Sequence, residues 1–223
     1  GKVIRQVSTA SDGNEYDKAE KLLKEKREKD IQLYPPSEIA NVYTDTDRII
    51  LINHLKNSGV GAAIVTGYKA AIGERIDITA VMAGDAQMDP DDLASLLDPL
   101  VDDRCDYSKG NRLFTGDAWN AIPKVRYLGN SALSLMTKIA SGYWHVADSQ
   151  TGYCAATLKA LETIDLDALY PRYGFPNDML VQLNIYGFRV RDVPIKPVYG
   201  VGERSGIRLW KVIPTLSALL FRR

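Results

Sequence analysis

Hydrophobic positions along this chain fall into short β-branched runs separated by longer stretches with helical spacing. The segment "EYDKAEKLLKEKREKD" at 15–30 is rich in strong helix formers, with few apolar positions beyond Tyr16, Ala19, Leu22 and Leu23. It predicts a solvated helix with one narrow buried face. A turn-like "YPPSE" leads to "DRIILIN", whose β-branched centre and polar ends read as a strand. In "KNSGVGAAIVTGYKAAI" small residues at helical periodicity predict a loop entering a packed helix. The next strand, "DITAVMAGD", is followed by "DPDDLASLLDPLVDD", where Asp89 is placed to cap a helix with Pro90 at its first position. Strand, helix, strand, helix is the rhythm of a parallel sheet.

Further along, "DYSKGNR" at 106–112 reads as a strand edge ending in a loop, and 127–143 as a helix of mixed polarity. "TGYCAATLKALETI" supplies a strand or turn and a helix. "PNDMLVQLNIYGFRVRDVPI" reads as a helix, a stop at Gly187 and a strand. The last segment, "IRLWKVIPTLSALLFRR", mixes large apolar residues with Arg208, Lys211, Arg222 and Arg223. A segment that lies on a membrane surface or a partner fits this mixture, and so does a terminal core helix broken at Pro214.

Composition narrows the classes. At 223 residues and 45% hydrophobic content the chain suits one α/β domain or a tight pair of subdomains with a sizeable core. Lys and Arg together number 28, as do Asp and Glu, and no basic stripe is interleaved with aromatic residues. Nucleic acid is therefore not an expected partner, and any electrostatic function must be local. Cys105 and Cys154 match no metal or redox spacing and are expected as buried core thiols. His54 and His145 lack metal-ligand spacing as well, and both read as structural. No signal-peptide pattern opens the chain, and no apolar run reaches the roughly 18 residues of a membrane span. The chain as given is expected to be soluble or peripheral.

The stretch "VMAGDAQMDP" carries the first candidate chemistry. Parallel strands deliver their carboxyl ends to one rim, where ligands bind, so acids directly after a buried strand stand where a charged ligand would sit. Asp85 and Gln87, two residues apart, can both turn oxygens to a hard divalent cation whose remaining sites are filled by phosphate and water. The plainer alternative has Asp85 ending a strand, Gln87 exposed and Asp89 capping a helix. In "KGNR", Arg112 offers fixed forked donors suited to phosphate oxygens, and Lys109 either assists or is solvated at a strand edge.

Taken jointly and in order, "NSGVGAAIVTGYKAA", "VMAGDAQMDPDDL", "DYSKGNR", "DSQTGYCA", "GFPNDMLVQLNIYGFRVRDVPI" and "GERSGI" resemble family 2 glycosyltransferases over about residues 45–213. Within that family they most resemble the dolichyl-phosphate mannosyltransferase-like branch, which moves a sugar from a nucleotide diphosphate to a polyprenyl or dolichyl phosphate. The resemblance implies an A-type glycosyltransferase fold, with a mostly parallel Rossmann-like sheet flanked by helices. It also implies inversion at the anomeric centre, Mg or Mn at an Asp-x-Asp motif, and membrane-anchoring helices that often follow the domain. Asp85 resembles the last Asp of that motif and Gln87 the glutamine two residues on, while Ala83 stands where many relatives have the first Asp. Arg112 resembles the arginine that approaches donor or acceptor phosphate, with Lys109 either its assistant in substrate binding or a solvated neighbour. Arg204 and Ser205 resemble the loop that closes over the diphosphate, and Gly200, Gly202 and Gly206 give it the freedom a lid needs; an ordinary exposed turn is the alternative. Asp148, Gln150 and Thr151 resemble the acceptor-side motif, and Asp178 the acidic position that often supplies a catalytic carboxylate. A lipid phosphate is already anionic, so a general base is optional here and metal and cations rank first among the catalytic elements.

The resemblance fails at the N-terminus. Family members begin with two strands whose loops hold the nucleotide base and ribose, whereas "GKVIRQV" looks like the start of the first helix and "STASDGNEYDKAEKLL" like the end of the second loop. Part of the N-terminal strands is thus expected to be lacking, and Asp12 is a weak candidate for a base-binding aspartate. Loss of buried strands would expose a sheet edge, which favours a stretch taken from a longer chain over a true variant. The expected organisation is a catalytic domain at 1–206 and an amphipathic segment at 207–223. The expected function is inverting sugar transfer from a nucleotide-diphosphate sugar to a lipid phosphate at the cytoplasmic face of a membrane. Two alternatives stand beside it: transfer to a saccharide hydroxyl, and an inactive nucleotide-sugar-binding scaffold.

Overall fold

A computed structural model describes residues 36–46, 49–113, 124–196 and 198, with scattered helical positions between Lys21 and Gln32. The expected N-terminal variation, Asp12, Arg204, Ser205 and the 207–223 segment lie outside the described residues.

Strands β1 (Ile39–Thr46) and β2 (Ile49–His54) form an antiparallel hairpin, with Val42 opposite Ile52 and Thr44 opposite Ile50. The run "DRIILIN" is a strand as its pattern predicts, but it pairs with "IANVYTDT" in a two-stranded sheet of its own. A β-branched partner lies only two residues away, close enough to pair with it as a hairpin. Val42, Ile49 and Leu51 are all more than half exposed on this hairpin.

Helix α1 (Val60–Gly73) follows Gly59, whose φ is +106°. A Cβ there would stand 2.5 Å from Pro171 O, and one at Gly61 would stand 2.6 Å from Tyr170 O. The glycines of "SGVGAA" therefore let the helix start touch the 170–171 backbone, where Ala62 N donates to Pro171 O at 3.0 Å.

The main sheet contains β3 (Ile78–Val81), β4 (Tyr107–Asn111), β5 (Cys154–Thr157) and β6 (Val190–Pro194), in the order β3-β5-β4-β6. β5 runs antiparallel to β3 and β4, and β4 runs parallel to β6, so three of these four strands share one direction and β5 is reversed between two of them. The expected strand edge at "DYSKGNR" is instead an interior strand, with all five residues of β4 buried.

Alternation along "YCAA" explains how β5 fits the centre. Cys154 and Ala156 face a core with Tyr68, Tyr107, Phe175, Met179 and Leu180, while Tyr153 and Ala155 face one with Leu96, Leu100 and Val193. Helix α2 (Leu93–Val101) covers the second face. Helices α1, α4 (Leu158–Thr163) and α5 (Phe175–Ile185) cover the first, and α3 (Lys124–Ser141) reaches α5 through Thr137 and Asn177. Gly187, at φ +69°, ends α5 as its sequence predicts. The result is an α/β layered fold with a mixed sheet flanked by helices. Register places Val81 and Lys109 both opposite Cys154, so the carboxyl ends of β3 and β4 and the amino end of β5 share one rim.

Candidate active site

The rim's first component is the loop after β3. Ala86 takes the left-handed φ of +60°, which bends the chain so that Asp85 Oδ1 accepts from Gln87 N at 3.1 Å. Met88 Sδ accepts from Ala83 N at 3.1 Å, and Tyr153 reaches across from the start of β5 to donate its hydroxyl to Asp89 O at 3.0 Å. Asp89 caps the 3₁₀ turn Pro90–Asp92 by accepting from Asp91 N at 3.0 Å, so its expected role as helix punctuation holds. Asp85 is left exposed, with no cationic side chain on it among the described residues. Gln87 buries its Nε2 without a partner.

The second component is closed. Arg112 grips Asp148 with Nε to Oδ2 at 2.8 Å and Nη2 to Oδ1 at 3.1 Å, and its backbone N reaches Oδ2 at 3.3 Å. Gln150 N adds a donor to Oδ1 at 3.1 Å. Burial works to raise the pKa of the fully enclosed Asp148, but the Arg112 guanidinium, with a lesser pull from Lys109, holds it below the ordinary carboxylate value. Lys109 corrects the expectation of a solvated strand edge. It is fully buried in the interior strand and donates its ammonium to Thr151 O, with burial pushing its pKa down. Asp192, opposite Lys109 on β6, accepts from Asn111 Nδ2 at 2.9 Å and Ala147 N at 2.7 Å. Its other oxygen is buried without a partner, and burial pushes its pKa up.

Two acidic and two basic side chains thus meet beneath the rim. Sequence reasoning missed Asp192 and Asn111; the available signal was an acid in "RVRDVPI", within a run that otherwise reads as a buried strand.

The third component ties the 148–151 loop to α3 and α5. Gln150 Nε2 donates to Ser149 Oγ and to Asn177 Oδ1, both at 2.9 Å, and Thr137 Oγ1 donates to the same Asn177 oxygen at 3.1 Å. Asp178 is fully buried and accepts from Tyr170 N at 2.8 Å, fixing the approach to α5. The structure therefore gathers Lys109, Arg112, Asp148, Gln150 and Thr151, and links Gln150 to the neighbour of Asp178. Asp85 and Gln87 stand on the loop that Tyr153 joins to the same rim.

His54 pairs with Thr66 Oγ1 at 2.8 Å and His145 with Val190 O at 2.8 Å, and both cysteines are buried, in line with their structural readings. Among the described residues no group of three or more His, Cys, Asp or Glu could hold a metal ion, and no helix is long and apolar enough to cross a membrane.

Residues 35–165 match the family model for glycosyl transferase family 2. The chain belongs to that family. A UDP-N-acetylglucosamine--dolichyl-phosphate N-acetylglucosaminyltransferase from Methanococcus voltae is 32% identical over 152 residues, which is 68% of this chain and 60% of that protein. An uncharacterized protein of Methanocaldococcus jannaschii is 29% identical over 151 residues, 68% of this chain and 62% of its own length. The chain thus spans about three-fifths of these relatives. Among solved structures, the glucosyl-3-phosphoglycerate synthase of Mycobacterium tuberculosis in complex with Mn2+, UDP and phosphoglyceric acid superposes with a TM-score of 0.52. That match has 18% identity and covers 74% of this chain and 54% of that one. At that identity the likeness is one of fold, and the fold of this family 2 chain is the A-type glycosyltransferase fold.

Proposed function

We propose that this chain is the catalytic part of a glycosyltransferase that moves a sugar from a nucleotide diphosphate to a polyprenyl or dolichyl phosphate, inverting the anomeric centre, at the cytoplasmic face of a membrane. One observation carries the choice of acceptor: the candidate bases of the 148–151 loop and α5 are already occupied. Asp148 takes donors from Arg112 and Gln150, and Asp178 is buried on Tyr170 N. A hydroxyl acceptor needs a base to become nucleophilic, whereas a phosphate monoester oxygen is an anion at neutral pH. The name of the 32% identical relative supports the same acceptor class and a UDP-sugar donor.

A divalent cation, Mg or Mn, fits this rim only as a partner of the donor. Asp85 supplies one exposed carboxylate, Ala83 supplies none, and a hard cation bound through one or two carboxylates completes its shell with substrate phosphates and water. Once bound with the donor, such an ion would offset charge that builds on the departing diphosphate. Asp85 would hold it, with Gln87 beside it. The buried, unpartnered Nε2 of Gln87 is a donor that a phosphate oxygen would satisfy. Arg112 and Asp148, locked together, keep the loop that faces the acceptor in one arrangement.

The test is transfer by the full-length protein from UDP-N-acetylglucosamine, with Mn2+ or Mg2+, to dolichyl phosphate and in parallel to saccharide acceptors. Product on the lipid phosphate is expected, with Asp178→Asn retaining it, because an amide oxygen can still accept from Tyr170 N. Product on saccharides alone, abolished by Asp178→Asn, would replace this reading with the hydroxyl-acceptor one.

A further inference from the structure

Helix α3 is built inside out. Among its described side chains, the three that are buried are Ser134, Thr137 and Ser141, and the two that are exposed are Leu135 and Ile139, at 53% and 66%. Each set falls on one helix face by its three- and four-residue spacing. The buried hydroxyls have partners: Ser134 Oγ accepts from Ser149 N at 3.1 Å, Thr137 Oγ1 meets Asn177 Oδ1 at 3.1 Å, and Ser141 Oγ accepts from Tyr143 N at 3.3 Å. Those bonds turn the polar face inward and leave the apolar face outward. A helix with water on its outer side carries the opposite pattern. Two more large apolar side chains stand at the end of α3. Trp144, in the loop that leaves the helix, is more than half exposed, and Ile185 is half exposed on α5, next to the Asn184 that lies against Gly142. Charge singles out the medium. Residues 118–147 contain no Asp or Glu, in a chain where these number 28 of 223, and the sequence of α3 carries Lys124, Arg126 and Lys138.

We propose that the outer face of α3, with Leu135, Ile139 and Trp144, lies on an anionic phospholipid bilayer, as a contact surface separate in sequence from the 207–223 segment. This deepens the function proposed above and rests on it in preferring a lipid surface to a soluble protein partner. An anionic bilayer suits both the basic helix and its apolar strip, and tryptophan is a side chain enriched at the headgroup level. A second copy of the chain seated here would instead set cation against cation across a two-fold interface. The helix lies on the bilayer and does not cross it, because its inward hydroxyls belong to the protein and it is not apolar enough to span. Ser134 and Thr137 tie the same helix to the 148–151 loop and to α5. The bilayer then stands one helix diameter, about 10 Å, from the loop that the acceptor phosphate must reach.

The experiment attaches a nitroxide to the full-length protein through Leu135→Cys, Ile139→Cys or, as a control, Val101→Cys, which is exposed on α2 across the sheet. Cys105 and Cys154 are buried and should not take the label. In vesicles of phosphatidylglycerol and phosphatidylcholine, collisions with oxygen, which concentrates in lipid, are compared with collisions with a nickel chelate, which stays in water. Labels at 135 and 139 are expected to favour oxygen and the label at 101 nickel. Vesicles of phosphatidylcholine alone should shift the first two towards nickel. Quenching of tryptophan emission by brominated lipid reads the same face without a label, and Trp144→Phe should reduce it. Nickel exceeding oxygen at 135 and 139 in the anionic vesicles overturns the proposal. So does shielding of both labels from both reagents, which would mean that protein covers the face. An unchanged preference in phosphatidylcholine alone, or quenching unaltered by Trp144→Phe, also overturns it. Labels in lipid on a protein that does not glycosylate dolichyl phosphate would overturn the acceptor reading and leave this face standing. Glycosylation of dolichyl phosphate with both labels in water would do the reverse.

Discussion

The loop after β3 and the cluster at the end of β4 stand on one rim and treat their carboxylates in opposite ways. Asp85 is exposed and accepts only a neighbouring backbone N–H, while Asp148 is fully enclosed by donors from Arg112 and Gln150. Removing a carboxylate from water costs several kcal/mol, and only close partners offset it. The closed half therefore carries its own countercharge and keeps its shape without ligand. The open half leaves Asp85 available to the cation proposed to arrive with the donor. Position after a strand brings a carboxylate to the rim, but the donors already around it decide whether it is available for chemistry.

That contrast can be broken at either side. The largest expected effect is Asp85→Asn, which should lower transfer by about a hundredfold or more, on the order of 3 kcal/mol of electrostatic stabilisation, while leaving thermal unfolding essentially unchanged. Transfer within threefold of wild type would place the chemistry elsewhere. Asp148→Ala should do the reverse and act first on the fold. It takes the buried carboxylate away from the Arg112 guanidinium, whose side chain is only 22% exposed, and should cost about 3 kcal/mol in denaturant midpoint experiments.

The two buried acids should also separate by pH. Asp148, held below its usual value in the fold, contributes stability that is present above the unfolded carboxylate pKa and is lost as pH falls through the lower folded value. Asp192, pushed up by burial, contributes with the opposite sign, favouring the fold as pH drops through its raised value. Acid titrations of stability for Asp148→Asn and Asp192→Asn should depart from wild type in opposite directions. Departures of the same sign would contradict the assignment. The smallest effect is Asp89→Ala, which removes a cap on the turn into α2 and should cost about 1 kcal/mol without altering transfer.

Much of this was legible in the sequence, for identifiable reasons. The helix over "VGAAIVTGYKAAIG", the strand before "AGDAQMDP", the Asp89–Pro90 start and the Gly187 stop are local, and local chemistry decides them. Pairing is not local. Nothing in "CAAT" says that the strand runs backwards between β3 and β4, and "IANVYTDT" carries too few apolar residues to announce the hairpin that claims β2. The site followed the same division. Motif order leads to Asp85, Arg112 and Asp148 without their partners, and whether Arg112 meets a phosphate or Asp148 depends on how a loop 36 residues away is brought to the rim. Both sequence readings of Lys109, as an assistant at the phosphate or as a solvated residue, presuppose an edge strand, and it is buried because β6 pairs beyond it. Asn177 escapes notice because a buried asparagine has no sequence pattern, although it links Gln150 to Thr137.

The central claim is that the open carboxylate holds the donor diphosphate through a divalent cation. Binding of UDP to the full-length protein, titrated with and without Mn2+ for wild type and Asp85→Asn, addresses it most directly. The account predicts tight binding by wild type that requires Mn2+, and weak binding by Asp85→Asn that Mn2+ does not improve. Equal, metal-enhanced binding by both proteins would contradict it.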